Sequence, residues 1–365
     1  MKRVQMRTSA FAAVVVIAGS ALAACGSGST GGDSGSSSTK AGGGAENAKV
    51  AFLMPDLAST RYELQDKPLF EAKMKQLCPS CTVIYQNADS DAAKQQQQAN
   101  SALAQGVKAI VLDPVDSAAA ATMVKTAQSQ GVAVIAYDRP IPATPADYYI
   151  SFDNEKIGNM IAQSLVDHLK KENIQGGLLE VNGSPTDAAA GLIKKGIHSA
   201  IDPSGFKLLA EYDTPDWQPE KAQTWVSGQI TQFKDQIAGV VAANDGTGGG
   251  SIAAFKAAGV KVPPVTGNDA EPAAAQRIIA GDQYNTISKP IKIVAEASAD
   301  VAYQFMQGKK PAGKTTLYNT PSQLFVPTVV TKENIKAVLF DSGIMKASEV
   351  CTGEYAKGCA DLDIK

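Results

Sequence analysis

The chain has 365 residues, with 34 basic and 36 acidic side chains and a formal net charge of −2. This balance provides no polycationic surface, which excludes nucleic acid as the main partner. The chain contains two histidines, which excludes a metal site built from several histidines, and we expect neither a metal nor a cofactor. The length suggests about two domains of ordinary size.

The first 24 residues have the features of a signal peptide. A basic start precedes an apolar run over Phe11–Ala18, which is too short to span a membrane as a mature helix. The leader ends in Leu22-Ala23-Ala24-Cys25. This ending resembles the lipobox of bacterial lipoproteins and implies that Cys25 is lipidated; an ordinary signal peptide with an incidental cysteine is the alternative.

The segment over residues 25–47 consists mainly of Gly, Ser and Thr. Such a composition buries little apolar surface and is typical of a flexible linker. We therefore expect an exported body tethered by lipid to the outer face of the cytoplasmic membrane, in the periplasm or at the cell surface.

From residue 48 onward, apolar runs alternate with segments of helical length. The runs before residue 152 are Val50–Met54, Val83–Tyr85, Ala109–Leu112 and Val132–Tyr137. The segments at about 64–77, 92–105 and 117–130 predict helices, and a glycine follows each of the last two, as is usual where a helix ends. Near-continuous apolar strands separated by helices predict a parallel sheet that is buried on both faces.

The same alternation restarts after residue 152. Predicted strands are Gly177–Val181, Leu208–Tyr212, Gly239–Ala242, Val265–Gly267 and Tyr284–Ser288, and predicted helices cover 155–171, 188–201, 219–233, 251–258 and 272–280. This order predicts an α/β fold with two doubly wound sheets. A helix at 291–307 and a strand at about 324–330 return the chain to each lobe. We expect an N-terminal lobe of 48–152 plus 290–326 and a C-terminal lobe of 153–289 plus 327–365.

Polar and aromatic side chains follow the predicted strands, at the edge where open α/β sheets bind their ligands. They are Arg61, Asp138, Arg139, Asp187, Trp217, Asn244, Asp245, Asn268, Asp269 and Lys289. A sugar hydroxyl donates one hydrogen bond and accepts two, so it suits a carboxylate beside an Arg, Lys or Asn donor. An indole can cover the apolar face of a pyranose. Any one of these residues could instead be a turn or cap residue, but together they favour sugar recognition over catalysis.

Several segments make a family resemblance specific. They are Tyr137-Asp138-Arg139, Tyr149–Lys156, Gly183–Asp187, Trp217–Glu220, Ala243-Asn244-Asp245, Gly267–Ala270 and Lys289-Pro290. In order and spacing they resemble the xylose-binding proteins of bacterial ABC importers, from about Lys49 to about Ser342. The resemblance implies a type I periplasmic binding protein, with two Rossmann-like lobes joined by three crossing strands. It also implies one bound monosaccharide, delivered to the permease and ATPase subunits of the importer, with xylose ranked first and glucose or galactose next.

The resemblance also implies roles for individual residues. Asp138 and Arg139 are implied as hydroxyl ligands and Trp217 as the stacking platform. The remaining polar ligands are implied as Asp187, Asn244, Asp269 and Lys289, with Arg61 and Tyr62 closing the pocket from the first lobe. The sequence departs from the family in two ways. Ala188 and Ala189 stand where two Asn are usual, and the loop at 61–66 is one residue longer, with Tyr in place of a Trp.

Two other functional classes remain open at this level. One is a sensor ectodomain that presents its bound sugar to a receptor. The other is an extracellular sugar-acting enzyme, for which Asp138, Asp187 and Asp269 could supply the two carboxylates. Neighbouring Arg, Lys and Asn side chains would keep those acids ionised, which suits binding better than general acid catalysis. We therefore predict a binding protein and no enzymatic activity.

The four cysteines after Cys25 form two sequence-local pairs. An exported chain meets oxidising conditions, so we predict Cys78–Cys81 and Cys351–Cys359 disulfides. A redox role for the first pair would require a helix N-terminus to lower the thiol pKa, whereas this pair follows a predicted helix. A zinc site that joined both pairs would require distant segments to meet.

Two further features receive ordinary structural interpretations. The run Gly246–Gly250 follows a strand but lacks the Gly-Lys-[Ser/Thr] ending of a phosphate loop, so a tight turn is expected. His168 and His198 lie on predicted helix faces without a neighbouring Cys or a paired His. We interpret both as ordinary helix residues.

Overall fold

A computed structural model describes residues 45–365, so the signal peptide, Cys25 and most of the predicted linker lie outside the described residues. The strands are β1 (Lys49–Met54), β2 (Thr82–Asn87), β3 (Ala109–Leu112), β4 (Ala133–Tyr137), β5 (Tyr148–Phe152), β6 (Gly177–Asn182), β7 (Lys207–Asp213), β8 (Ile237–Ala242), β9 (Asn285–Ser288), β10 (Thr315–Leu317), β11 (Thr320–Phe325) and β12 (Thr328–Thr331). The α-helices are α1 (Lys67–Leu77), α2 (Ala92–Ala104), α3 (Ala120–Ser129), α4 (Asn154–Lys171), α5 (Ala188–Ile201), α6 (Pro219–Phe233), α7 (Asp245–Ala257), α8 (Pro272–Ala280), α9 (Ile291–Met306), α10 (Ala347–Val350) and α11 (Tyr355–Asp361). Single turns of 3₁₀ or π geometry lie at Tyr62–Asp66, Pro215–Trp217, Lys234–Gln236 and Lys336–Asp341.

The first sheet has the strand order β10-β11-β5-β4-β3-β1-β2, and its neighbours are parallel except for the β10–β11 hairpin. Phe52 and Val111 face α1 and α9, whereas Leu53 and Leu112 face α2 and α3. Helices on both faces therefore explain why these strands are apolar throughout. The strand β5 was not predicted; it pairs with β4, which precedes it in the chain, and with β11, which returns from far along the chain.

The second lobe is less regular than predicted. Its parallel sheet contains β7-β6-β8, while β9 and β12 form an antiparallel pair. Between them, Val265 makes a single bridge to Val240, and the Tyr284 N–H donates to the Val265 carbonyl at 2.8 Å. The predicted strand at 265–267 is therefore only a bridge. It follows Pro263 and Pro264, which lack the N–H groups that a strand ladder needs.

The predicted strand at 324–330 is in fact two strands. Phe325 ends β11 in the first sheet, and Thr328 begins β12 in the second lobe. Pro327 lies between them and cannot donate to either ladder. The chain thus crosses between the lobes at 152–154, 288–291 and 325–328, and the predicted two-lobed α/β fold is confirmed.

Helix α7 begins at Asp245 and not at Ser251 as predicted. The Asn244 side chain accepts from the Thr247 N–H at 2.8 Å and forms a capping box with it. The glycine run is therefore helical, neither a tight turn nor a phosphate loop. A Cβ at Gly250 would lie 2.2 Å from the Pro219 carbonyl oxygen, so glycine here permits α6 and α7 to pack closely.

Helices α4 and α5 also approach closely through glycine. A Cβ at Gly158 would lie 1.9 Å from the Ile193 carbonyl oxygen, and one at Gly196 would lie 2.0 Å from the Glu155 carbonyl oxygen. This contact fixes the position of α5, whose first turns lie at the cleft between the lobes.

Both local cysteine pairs are disulfide-bonded in the structure. Cys78–Cys81 follows the C-terminus of α1, and Cys351–Cys359 links the end of α10 to α11. Across residues 45–365, no helix combines the length and apolar character that membrane crossing requires.

Candidate functional site

A single cavity between the lobes brings together the side chains that sequence analysis proposed as ligands. Its lining contains Arg61, Tyr62, Asp138, Arg139, Asp187, Trp217, Asn244, Asp269 and Lys289. Ser59, Asn154, Ala189, Ile193 and Asn268 complete the wall.

Arg139 follows β4 and lies buried at the centre of a carboxylate cluster. Its guanidinium is 2.6 Å from Asp56, 3.1 Å from Asp187 and 3.4 Å from Asp113. Asp187 belongs to the second lobe, so this ion pair spans the cleft. Burial raises the pKa of Asp113, and Arg139 opposes that rise. One cation therefore serves three carboxylates, an arrangement that holds the guanidinium in one orientation.

Arg61 forms the second cationic centre of the first lobe. It donates to Asp66 through two nitrogens at 2.8 and 3.1 Å, and Tyr137 donates its hydroxyl to the same carboxylate. A third nitrogen donates to Asp138 at 3.2 Å and lies 3.9 Å from Asp269 of the second lobe. Arg61 therefore joins both walls of the cavity.

The second lobe contributes a carboxylate that is fixed on both oxygens. Asp187 caps α5 by accepting from the Ala189 N–H at 2.7 Å, and it also accepts from the Trp217 indole N–H at 3.0 Å. The Asp187 carboxylate thus holds the Trp217 indole by its N–H edge. A second carboxylate of this lobe, Asp269, forms an ion pair with the Lys289 ammonium at 2.7 Å.

Several cavity residues have backbone conformations that non-glycine residues adopt rarely. The φ angles are +57° at Asp138, +57° at Trp217 and +103° at Asp269. Positive φ is uncommon outside glycine and concentrates at functional sites, where the surrounding fold holds it. The same three side chains follow strand ends or short turns that face the cleft.

The electrostatic environment keeps one carboxyl group strongly ionised. Burial opposes the charge on Asp138, but Arg61, Lys289 and Arg139 outweigh it and lower the pKa of Asp138 to about 2. Burial raises the pKa of Asp187, an effect that Arg139 opposes. An ionised carboxylate beside a guanidinium can accept from a hydroxyl while the guanidinium donates to the next one.

Sequence reasoning missed several residues of the site. Asn154 was noted only as part of a larger segment, although it lines the cavity. Asp56, Asp66 and Asp113 were not proposed, although Asp56 and Asp113 closely follow strands and could have been found by the same rule. Of the two alanines that depart from the family pattern, Ala189 lines the cavity and Ala188 does not.

Comparisons with known proteins agree with this geometry. The periplasmic binding protein domain family matches residues 50–310. The D-xylose-binding periplasmic protein of Escherichia coli (strain K12) is 34% identical, over 84% of this chain and 93% of that protein. The D-xylose-binding periplasmic protein of Haemophilus influenzae is 32% identical, over 82% of this chain and 91% of that protein. A solved ABC transporter solute-binding protein from Clostridium phytofermentans, with bound β-D-glucose, has a TM-score of 0.76 at 26% identity and covers 83% of this chain and 99% of its own.

The chain therefore belongs to the periplasmic binding protein family. Within it, the chain is a substrate-binding protein of the sugar ABC transporter type, similar to the xylose-binding proteins, and not an enzyme. The resemblance seen in the sequence is confirmed.

Proposed function

We propose that this protein binds one monosaccharide between its lobes, outside the cytoplasm, and delivers it to the permease of an ABC importer. D-xylose is the preferred ligand, with D-glucose or D-galactose next. The observation that carries the proposal is the cavity itself, in which the nine residues named from the sequence converge. The names of the relatives in Escherichia coli and Haemophilus influenzae support xylose.

The charge pattern of the cavity suits a polyhydroxylated ring. Each hydroxyl can lie between a carboxylate acceptor and a cationic donor, and hydrogen bonds to charged groups contribute about 1.5–3 kcal/mol each. The Arg139–Asp187 and Arg61–Asp269 pairs join the two lobes. Ligand hydroxyls inserted between such partners would hold the lobes together and couple binding to closure.

The apolar part of the wall supports a pentose over a hexose. Ala189 and Ile193 line the cavity on α5 and offer no side-chain hydrogen bond. We propose that C5 of the ring faces them. A hexose would bring its hydroxymethyl group to this wall, and a buried hydroxyl without a partner costs about 1–3 kcal/mol.

Tryptophan fluorescence offers a direct test, because the chain contains only Trp217 and Trp225. Trp225 stacks on Tyr212, away from the cavity, so Trp225→Phe leaves the cavity indole as the only reporter. We expect D-xylose to change its emission and to bind at least tenfold more tightly than D-glucose, with xylitol weaker because it lacks the ring.

The matched control is Trp217→Phe, whose remaining indole should not respond to sugar. Calorimetry on the unmodified chain provides the affinities. A hexose that binds more tightly than D-xylose would refute the pentose assignment. A lack of binding by every aldopentose and aldohexose would refute sugar binding.

We also propose that Cys25 is the lipid anchor. Cys25→Ser should move the protein from the membrane fraction to the soluble fraction or leave it as an unprocessed precursor. Fractionation with an antibody against the body measures this. A Cys25→Ser protein that stays firmly in the membrane fraction after processing would contradict the lipoprotein assignment.

A further inference from the structure

A second polar cluster lies on the α5 side of the second sheet, outside the sugar cavity. It contains Glu180 from β6, His198 from α5 and Glu211 from β7. One ligand-capable atom from each of these residues lies within 4.8 Å of the others. His198 is eleven residues along the chain from Asp187, about 16 Å along a helix, so this cluster does not belong to the cavity.

The distances within the cluster suit a tetrahedral metal ion. The His198 Nε2 atom is 3.3 Å from Glu211 Oε2 and 3.6 Å from Glu180 Oε2. Ligand atoms about 2.0 Å from a tetrahedral zinc ion are about 3.3 Å apart. The Glu180 and Glu211 oxygens lie within 4.8 Å of each other, so side-chain adjustments would bring all three atoms to bonding distance of one ion.

Glu180 provides an independent indication of a missing partner. Its side chain has no exposed surface, and within residues 45–365 neither carboxylate oxygen has a hydrogen-bond partner. A buried carboxylate needs either a cation or hydrogen-bond donors, and His198 is too far away at 3.6 Å to supply a normal hydrogen bond.

A third carboxylate orients the imidazole. The Nδ1 atom of His198 lies 3.2 Å from Asp202 Oδ1, one helical turn further along the chain. A donor bond from Nδ1–H to a carboxylate fixes the tautomer whose Nε2 lone pair is free, as in histidines that bind zinc. Glu180 and Glu211 thus lie on the Nε2 side of the imidazole, and Asp202 lies on its Nδ1 side. Lys194 compensates Glu211 and Asp213 at 3.0 Å but does not reach Glu180 within ion-pair distance.

We propose that Glu180, His198 and Glu211 bind a zinc-class divalent cation, with Asp202 as a positioning residue. One imidazole and two carboxylates provide three protein ligands and leave a fourth position for water, a donor set that zinc accepts. The ligands come from two strands and one helix, so the bound ion would tie α5 to the sheet behind it.

The test is a zinc titration of the purified chain without reductant, after removal of metals with a chelator. We expect one equivalent of Zn²⁺ to bind with a dissociation constant of about 1 μM or lower and to raise the melting temperature. Co²⁺ in place of zinc should give the visible absorption of a tetrahedral complex. His198→Ala should weaken zinc binding at least 100-fold, and Asp202→Asn should weaken it about 10- to 100-fold.

The chain provides a matched control in His168, its other histidine, which stacks on Tyr284. His168→Ala should bind zinc as the unmodified chain does, and circular dichroism should show that both variants fold. A chain that binds no zinc would overturn the proposal, and so would equal zinc affinity in His168→Ala and His198→Ala. Sugar affinity should be the same in His198→Ala and the unmodified chain.

Discussion

Replacing Arg139 with alanine should weaken binding of the preferred sugar more than 100-fold. It should also lower the free energy of unfolding by about 3–5 kcal/mol, because removal of one partner leaves buried carboxylates without a counterion. Asp56, Asp113 and Asp187 all lie within 3.4 Å of this guanidinium. Urea denaturation measures the stability, and calorimetry well below the melting temperature measures the affinity of the folded protein.

Two controls separate the charge of Arg139 from its geometry. Arg139→Lys retains the positive charge, but the lysine ammonium lacks the planar guanidinium that contacts three carboxylates at once. We therefore expect a loss of sugar affinity smaller than that of Arg139→Ala. Lys194→Ala removes a cation that lies outside the cavity and should leave sugar affinity unchanged. Sugar affinity within threefold of normal in a folded Arg139→Ala protein would contradict the assignment of this cavity as the binding site.

Replacing Gly196 with alanine should lower the free energy of unfolding by about 1–3 kcal/mol, the usual cost of overpacking. The added Cβ would lie 2.0 Å from the Glu155 carbonyl oxygen, so α4 and α5 would have to separate. Because Ala189 and Ile193 of α5 line the cavity, we also expect sugar affinity to fall at least tenfold.

Gly191 is the matched control on the same helix. It is exposed, and a Cβ there would meet no atom within 4 Å in the described structure. Gly191→Ala should therefore raise the free energy of unfolding by about 0.5–1 kcal/mol, because alanine loses less backbone entropy in a helix. Thermal and urea unfolding of the two variants should move in opposite directions; a stabilised Gly196→Ala protein would contradict the close helix contact.

The local elements were the easiest features to predict, because their causes lie in adjacent residues. The runs at 50–54 and 109–112 became buried strands since helices cover both faces of the sheet. Errors arose where distant chain segments decide the outcome. The split between β11 and β12 depends on which lobe each segment pairs with.

The site was predictable to the extent that it follows strand ends. Asp138, Arg139, Asp269 and Lys289 were found this way, because each follows a predicted strand; β4 is parallel to its neighbours, and β9 ends at the cleft although it pairs antiparallel with β12. The ion pairing was not predictable. Nothing near Arg139 in the sequence indicates that Asp56, Asp113 and Asp187 surround it, and no spacing rule assembles Glu180, His198 and Glu211 from three elements.

The sequence by itself determined the alternating elements, the α/β class and the residue types at the mouth of the cleft, because periodicity and strand order are local properties of the chain. The tertiary structure decided which carboxylate neutralises which cation, how closely α4 and α5 approach, and how β9 and β12 pair. These outcomes depend on distances between segments far apart in the sequence. Charge pairing in a buried cavity is set by those distances, because a shift of a few ångströms would separate a carboxylate such as Asp187 from its cation Arg139.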